Sequence, residues 1–193
     1  MNSREAYALL AASYDSAPNA LIALEQRVVD TMLPRAKSAI DIAGGTGRWA
    51  KRLACSAVVV DDCEAMLARS EMPSVCADAA VLPFRDACVD LAICAFAIGY
   101  CPGAFEEGAR LLRAGGHLIV TDVHPERIQD GWRRTFRVAD RVIEPPSTIY
   151  KLADLCDSRL VLERMVEAPL GAQERAMLVA AGKEVPDGPA IFA

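Results

Sequence analysis

Residues 91–96, Leu91-Ala92-Ile93-Cys94-Ala95-Phe96, form an unbroken apolar run of strand length. A strand with one face in water alternates apolar and polar side chains. One that is apolar throughout is buried on both faces, as in a parallel sheet covered by helices on two sides. The same character recurs in Ala39-Ile40-Asp41-Ile42, in the β-branched Ala57-Val58-Val59-Val60, and in His117-Leu118-Ile119-Val120-Thr121. Between these runs lie stretches of helical character: Arg48 to Ala54, Glu64 to Arg69, and 103 to 113, the last followed by Gly115-Gly116 as a stop signal. Strands alternating with helices predict an α/β, doubly wound sheet. Ahead of it, Leu21, Leu24, Val28 and Met32 share one helical face that Pro34 closes. Beyond it the pattern predicts a hairpin from Arg134 to Ile143, a helix near Lys151 to Asp157, and strands near Leu160–Val166 and Ala190–Ala193.

A chain of 193 residues without internal repeats fits a single domain, 1–193. The net charge of −5 and the absence of a Lys/Arg block remove the electrostatic footprint of a nucleic-acid binder, leaving a small molecule as the expected partner. Seven cysteines, none in a C-x-x-C pair, and two histidines without ligand-spaced neighbours predict reduced thiols and no metal site. No apolar run approaches the roughly 20 residues that a bilayer span needs. The polar start Met1-Asn2-Ser3-Arg4-Glu5 does not read as a signal segment, so a cytoplasmic location without membrane attachment is expected.

The loop Asp41-Ile42-Ala43-Gly44-Gly45-Thr46-Gly47 follows the first strand. Its glycines permit a tight turn and close approach of a ligand, and a following helix would aim free N–H groups at it. Gly45, Gly47 and Ala50 also satisfy G-x-G-x-x-A, which keeps an NAD(P)-binding reductase open as an alternative. Asp41 separates the two readings: a carboxylate at the strand tip repels a pyrophosphate but binds the ammonium of an amino-acid moiety. Asp61 ends the next strand, where it can accept hydrogen bonds from both hydroxyls of a ribose. Taken singly, Asp41 and Asp61 also suit ordinary strand-end and helix-cap chemistry.

These residues resemble the class I S-adenosylmethionine-dependent methyltransferases, in which an acidic-x-Gly-x-Gly-x-Gly loop precedes a strand ending in Asp. The stretch Ala77-Asp78-Ala79-Ala80-Val81-Leu82-Pro83-Phe84 is similar to the family segment against the adenine. The resemblance implies that Asp78 accepts from the adenine amino group and that the Ala79 N–H faces the ring. Met66-Leu67 and Leu111-Leu112-Arg113-Ala114-Gly115-Gly116 also match family habits. The likeness is densest over residues 39–125 and nearest to the small-molecule subset typified by ubiquinone/menaquinone-type methyltransferases. There Tyr14-Asp15 resembles a Tyr-Asp pair on a lid over the cofactor. It implies seven strands with the last antiparallel, an N-terminal helical lid over 1–34, S-adenosylmethionine as cofactor and S-adenosylhomocysteine as product. Ala43, Gly44, Gly45, Gly47 and Asp62 would join Asp41, Asp61, Asp78, Ala79 and Tyr14 around it. Ala43 departs from the usual first glycine, Asp62-Cys63 replace a usual aliphatic-serine pair, and no histidine stands near Gly99, where the family often has one. A methyl at Ala43 is tolerable only at negative φ.

Methyl transfer from a sulfonium is an in-line displacement that chiefly requires alignment and exclusion of water. His124, after the fifth strand, is the candidate base, its alternative being a local hydrogen bond that shapes the turn before Pro125. Phe96 and Tyr100, at the end of the fourth strand, should face the cleft, the first toward the cofactor and the second toward an acceptor. Residues 126–146 read as a substrate-cover hairpin, with Trp132 and Phe136 as aromatic surfaces for a flat acceptor or as plain core. Arg133, Arg134, Arg137 and Arg141 could attract an anionic group or, interspersed with Asp130, Asp140 and Glu144, form a solvated hairpin face. A protein that binds the cofactor without transferring methyl is a further alternative, and a monomer or homodimer is expected.

Overall fold

The computed structural model describes residues 1–16, 18–148 and 150–193. Two helices lead, α1 (Ser3–Leu10) and α2 (Ala20–Val29), followed by β1 (Ser38–Ile42), β2 (Ser56–Asp61), α3 (Glu64–Leu67), β3 (Ser74–Cys76) and β4 (Val89–Ala95). Next come α4 (Ala104–Leu111), β5 (Leu112–Val123), α5 (Pro125–Gln129) and the hairpin β6 (Phe136–Val138) and β7 (Arg141–Ile143). The chain closes with β8 (Glu167–Pro169), α6 (Ala172–Ala180) and β9 (Pro189–Phe192). Seven strands form one sheet in the order β3-β2-β1-β4-β5-β9-β8. β1 pairs in parallel with β2 and β4, β4 with β5, and β2 with β3, whereas β9 runs antiparallel to β5 and β8. The doubly wound sheet and its antiparallel last strand agree with expectation.

Alternate residues of the inner strands feed two separate cores, as burial on both faces requires. Leu91 and Ile93 of β4 pack with Leu24 and Val29 of α2 and Leu178 of α6. Ala92 and Cys94 pack on the other face with Phe105 and Leu111 of α4. The chain winds from β1 to β2 and β3 on one side, then crosses to β4 and β5 on the other. This leaves a crevice at the carboxyl ends of β1 and β4, the topological switch point where such sheets hold ligands. At the opposite end of the sheet, Asp90 accepts from the backbone N–H groups of Lys37 (2.9 Å) and Ser38 (3.0 Å) and pairs with Arg113 at 2.7 Å. Arg113 above all holds its pKa down to about 2.

Several elements differ from the sequence reading. The α2 helix stops at Val29, and Thr31 turns its hydroxyl onto the Val28 carbonyl (2.8 Å) before Met32 is reached. Arg48 to Ala54 is not an α-helix: it holds one 3₁₀ turn, Ala50–Arg52, because the Asp41 carboxylate takes the Ala50 N–H (3.1 Å) and Leu53 leaves in extended geometry. Glu64 to Arg69 keeps only the four helical residues of α3. Gly115-Gly116 does not stop α4. The helix gives way at Leu112, and Gly115 (φ +76°) sits inside β5 where the register with β4 jumps from Val89↔Leu112 to Leu91↔His117. Lys151 to Asp157 contains a 3₁₀ turn, Leu152–Asp154, and Leu160–Val166 is not a strand, with Val161 and Leu162 exposed; pairing begins only at Val166, which bonds to Ala193. The helices α5 and α6 had no counterpart in the sequence reading.

Candidate functional site

A cleft of about 400 Å³ opens at the switch point, within the size range of small-ligand sites. Its floor is the glycine-rich loop. A Cβ on Gly44 would stand 2.5 Å from Asp41 Cγ, and one on Gly45 (φ +57°) would stand 2.9 Å from Met66 Cε, so both positions require glycine. The N–H groups of its three glycines are not free. Gly44 donates to the Val60 carbonyl (3.0 Å), Gly45 to Asp61 Oδ2 (2.9 Å) and Gly47 to the Gly44 carbonyl (2.9 Å). Without a following helix and with these donors occupied, the loop offers close approach rather than an anion cradle, which corrects the expectation of N–H groups aimed at the ligand. Gly47 (φ +76°) is also corrected: it lies behind the cleft, and its Cβ would meet Val59 and Ser70.

Asp41 is 1% exposed, and burial raises its pKa to about 6 despite the hydrogen bond from Ala50. Asp61 also accepts from the Cys63 N–H (2.8 Å) and is likewise raised to about 6 by burial. Asp62, Asp78 and Ala79 line the same wall as Asp61, and Asp78 uses Oδ1 to accept from the Ala80 N–H (2.9 Å). Ala43 lines the floor at φ +52°, the left-handed geometry its methyl group disfavours. Ala43→Gly should therefore stabilise the fold by about 1 kcal/mol, read as a raised denaturant midpoint; an unchanged or lowered midpoint would refute the strain.

Phe96, itself at φ +55°, and Tyr14 and Tyr100 line the cleft, joined by Tyr7 of α1. The ring of Tyr7 lies 5.7 Å from that of Tyr100 and 5.6 Å from that of Phe136, so Phe136 reaches the site through Tyr7 rather than directly. Behind Tyr100 stands Arg134, 5.1 Å over the ring and paired at 2.7 Å with the buried Asp122. The leading segment is tied to the floor: the Thr46 hydroxyl donates to Asp15 (2.8 Å), and Glu25 of α2 is fully buried beneath the loop. Glu25 accepts from Trp49 Nε1 (3.2 Å) and the Thr121 hydroxyl (2.5 Å) and pairs with Arg48 Nη2 (2.5 Å).

His124 does not line the cleft. It caps α5, accepting the Glu126 N–H on Nδ1 (3.3 Å), while Nε2 meets Glu167 of β8 at 2.8 Å. The Pro125 turn and the edge strand hold the ring, so the local role replaces that of base. Trp132 packs against the core beside α2 and α6 instead of lining the cleft. Residues 126–146 hold most of α5 as well as the hairpin. Sequence reasoning missed Tyr7, Glu25 and Arg48. Only the i, i+7 spacing of Tyr7 and Tyr14 pointed toward any of them.

Residues 40–120 match the methyltransferase domain family. The fold is similar to those of solved structures. One is an S-adenosylmethionine-dependent methyltransferase of Thermotoga maritima, described as a possible histamine N-methyltransferase (22% identity, 88% of this chain and 84% of that one, TM-score 0.64). Another, from Mesorhizobium loti, shares 18% identity over 88% of this chain and 95% of its own, with a TM-score of 0.62. At these identities the likeness is one of fold. Among curated proteins, the chain is similar to the biotin biosynthesis bifunctional protein BioHC of Cellvibrio japonicus, 30% identical over 136 residues. That match takes in 63% of this chain but 27% of the much longer relative. No helix among the described residues is long and apolar enough to cross a membrane, and no cluster of metal-ligating side chains occurs among them.

Proposed function

We propose that this chain transfers a methyl group from S-adenosylmethionine to an oxygen, nitrogen or carbon atom of a small-molecule acceptor. The observation that carries the reading is the pairing of two carboxylates, the buried Asp41 and the partly buried Asp61, with a loop whose glycine N–H groups are already used. Such a floor repels a pyrophosphate and suits a phosphate-free nucleoside with an ammonium group, which disfavours the NAD(P) reductase. Asp41 takes the ammonium, Asp61 the ribose hydroxyls, Asp78 and Ala79 the adenine, with Tyr14, Ala43, Gly44, Gly45, Asp62 and Phe96 completing the surround. When bound, the cofactor supplies a methyl group on an electrophilic sulfonium.

The chain's own part is to hold the acceptor in line and keep water out. Tyr7 and Tyr100 form the wall left for the acceptor, with both phenols pushed up by burial so that they stay protonated hydrogen-bond donors near neutral pH. The N-terminal 1–34 segment acts as the lid and the 126–146 segment backs it through Phe136 and Arg134. The net charge of −5 supports a metabolite rather than a nucleic acid as acceptor, in a cytoplasmic monomer or homodimer.

Calorimetry with S-adenosylhomocysteine should show binding that Asp61→Ala weakens by about tenfold or more. Methyl-labelled S-adenosylmethionine should label a small molecule in a metabolite extract. Binding without any labelled product would favour cofactor binding without transfer, a reading supported by the lack of a histidine among the cleft residues. Failure of the protein to bind either ligand at millimolar concentration defeats both.

A further inference from the structure

Cys94 and Cys101 bracket the turn that carries Tyr100, and methyl transfer uses neither thiol. Cys94 of β4 is fully buried and packs with Phe105 and Leu111 of α4. Cys101 packs against the same cluster, but it is half-buried and lines the cleft, a route for reagents that Cys94 lacks. The Cys94 thiol shares a hydrogen bond with Cys101, whose Sγ also donates to the Ala97 carbonyl (3.2 Å). We propose that the two form a redox-active pair: a low-molecular-weight disulfide entering the cleft oxidises them to an internal disulfide, and a bound cofactor blocks that reaction. The second half rests on the methyl-donor reading above.

The Cys101 thiolate attacks one sulfur of the incoming disulfide, breaking its S–S bond and releasing a thiolate that takes up a proton. The Cys94 sulfur then attacks Cys101 Sγ and expels the second thiol, to which the Cys94 proton passes. Two protein thiols are oxidised and one external disulfide is reduced to two thiols. Burial sets this order. The hydrogen bond to Cys101 and desolvation push the Cys94 thiol well up, so it stays protonated until its neighbour has reacted. The Ala97 carbonyl also accepts from the N–H groups of Tyr100 (2.8 Å) and Cys101 (3.0 Å). A bond to Cys94 draws Cys101 off Ala97 and rebuilds the turn that holds Tyr100 against Tyr7. Two residues on, a Cβ at Gly103 would stand 2.7 Å from Ala80, so the turn has no slack toward the wall that carries Asp78 and Ala79.

The test treats the reduced protein with cystamine, a small disulfide, and maps the products by mass spectrometry of unreduced peptides. Wild type should yield Cys94 linked to Cys101. Cys94→Ala should stop at a cysteamine adduct on Cys101, and Cys101→Ser should leave Cys94 unmodified. The exposed Cys76 and Cys156 serve as the reference in every sample. Saturating S-adenosylhomocysteine should slow the loss of the Cys101 thiol by about tenfold or more, as when only the empty protein reacts, without slowing Cys76 or Cys156. Oxidised wild type should bind S-adenosylhomocysteine about tenfold more weakly than Cys101→Ser treated alike, the equivalent of one lost hydrogen bond, and should recover on reduction. A stable Cys101 adduct in wild type, or Cys101 left unreacted while Cys76 is consumed, overturns the pair. Equal Cys101 rates with and without bound ligand overturn the coupling to the cofactor. Wild type that binds no S-adenosylhomocysteine refutes the methyl-donor reading itself, while the peptide map still decides the dithiol.

Discussion

Asp41→Asn is expected to weaken binding of S-adenosylhomocysteine by about 30-fold or more while raising the stability of the ligand-free protein. Asparagine keeps the oxygen that accepts from Ala50 and fits under Gly44, so the loop stays closed. What it removes is a charge that the empty protein holds at a cost. The folded pKa of Asp41 is about 6 against an ordinary 3.8. A group raised in this way favours the fold fully below pH 3.8, and that contribution fades as pH rises through about 6. At pH 7 the ionised side chain therefore costs the empty fold on the order of 2–3 kcal/mol. The variant should lose that cost, and its stability should no longer fall between pH 4 and pH 7 on this residue's account. Denaturant unfolding across that range reads the stability, and calorimetry at pH 7 reads the affinity. Affinity equal to wild type would show that Asp41 shapes the loop without touching the ligand.

Glu25→Ala should cost about 3–5 kcal/mol, the range for removing one partner of a buried ion pair. Its carboxylate gathers Arg48, Trp49 and Thr121 from the glycine loop and β5, and its loss leaves a guanidinium, an indole N–H and a hydroxyl under α2 without their acceptor. Chemical denaturation at pH 7 tests this, with Glu25→Gln as the milder comparison, since an amide oxygen still accepts but leaves Arg48 uncompensated. A cost below about 1 kcal/mol in the alanine variant would mean that water or rearrangement satisfies the three donors.

The sheet was legible because its strands are apolar on both faces. Leu91 to Phe96 admits few other positions than the centre of a covered parallel sheet, and Asp41 and Asp61 announce themselves as charges at the tips of such strands. The 3₁₀ turn after the loop was illegible because a side chain nine residues back captures the Ala50 N–H, a contact that helical periodicity does not carry. Gly115-Gly116 misled for a related reason: a positive-φ glycine marks a helix end or a strand bulge equally well, and only the partner strand decides. His124 looked available because it follows a strand at the ligand edge, yet its ring direction is set by Glu167, 43 residues away. Glu25 and Arg48 lie 23 positions apart and belong to no motif. Burial against the loop, which one chain's pattern does not encode, makes them part of the site.

The carboxylates at the two ends of the sheet titrate in opposite directions. At the base, Asp90 stays ionised down to about pH 2, locking Lys37, Ser38 and Arg113 to the strand starts. At the top, Asp41 and Asp61 take up protons near pH 6. Mild acid thus discharges the cleft while the frame beneath it keeps its clamp, and the domain near pH 4 is relieved of two costly charges. On the methyl-donor reading, elution at moderately low pH should therefore recover a folded domain ready to be refilled on neutralisation.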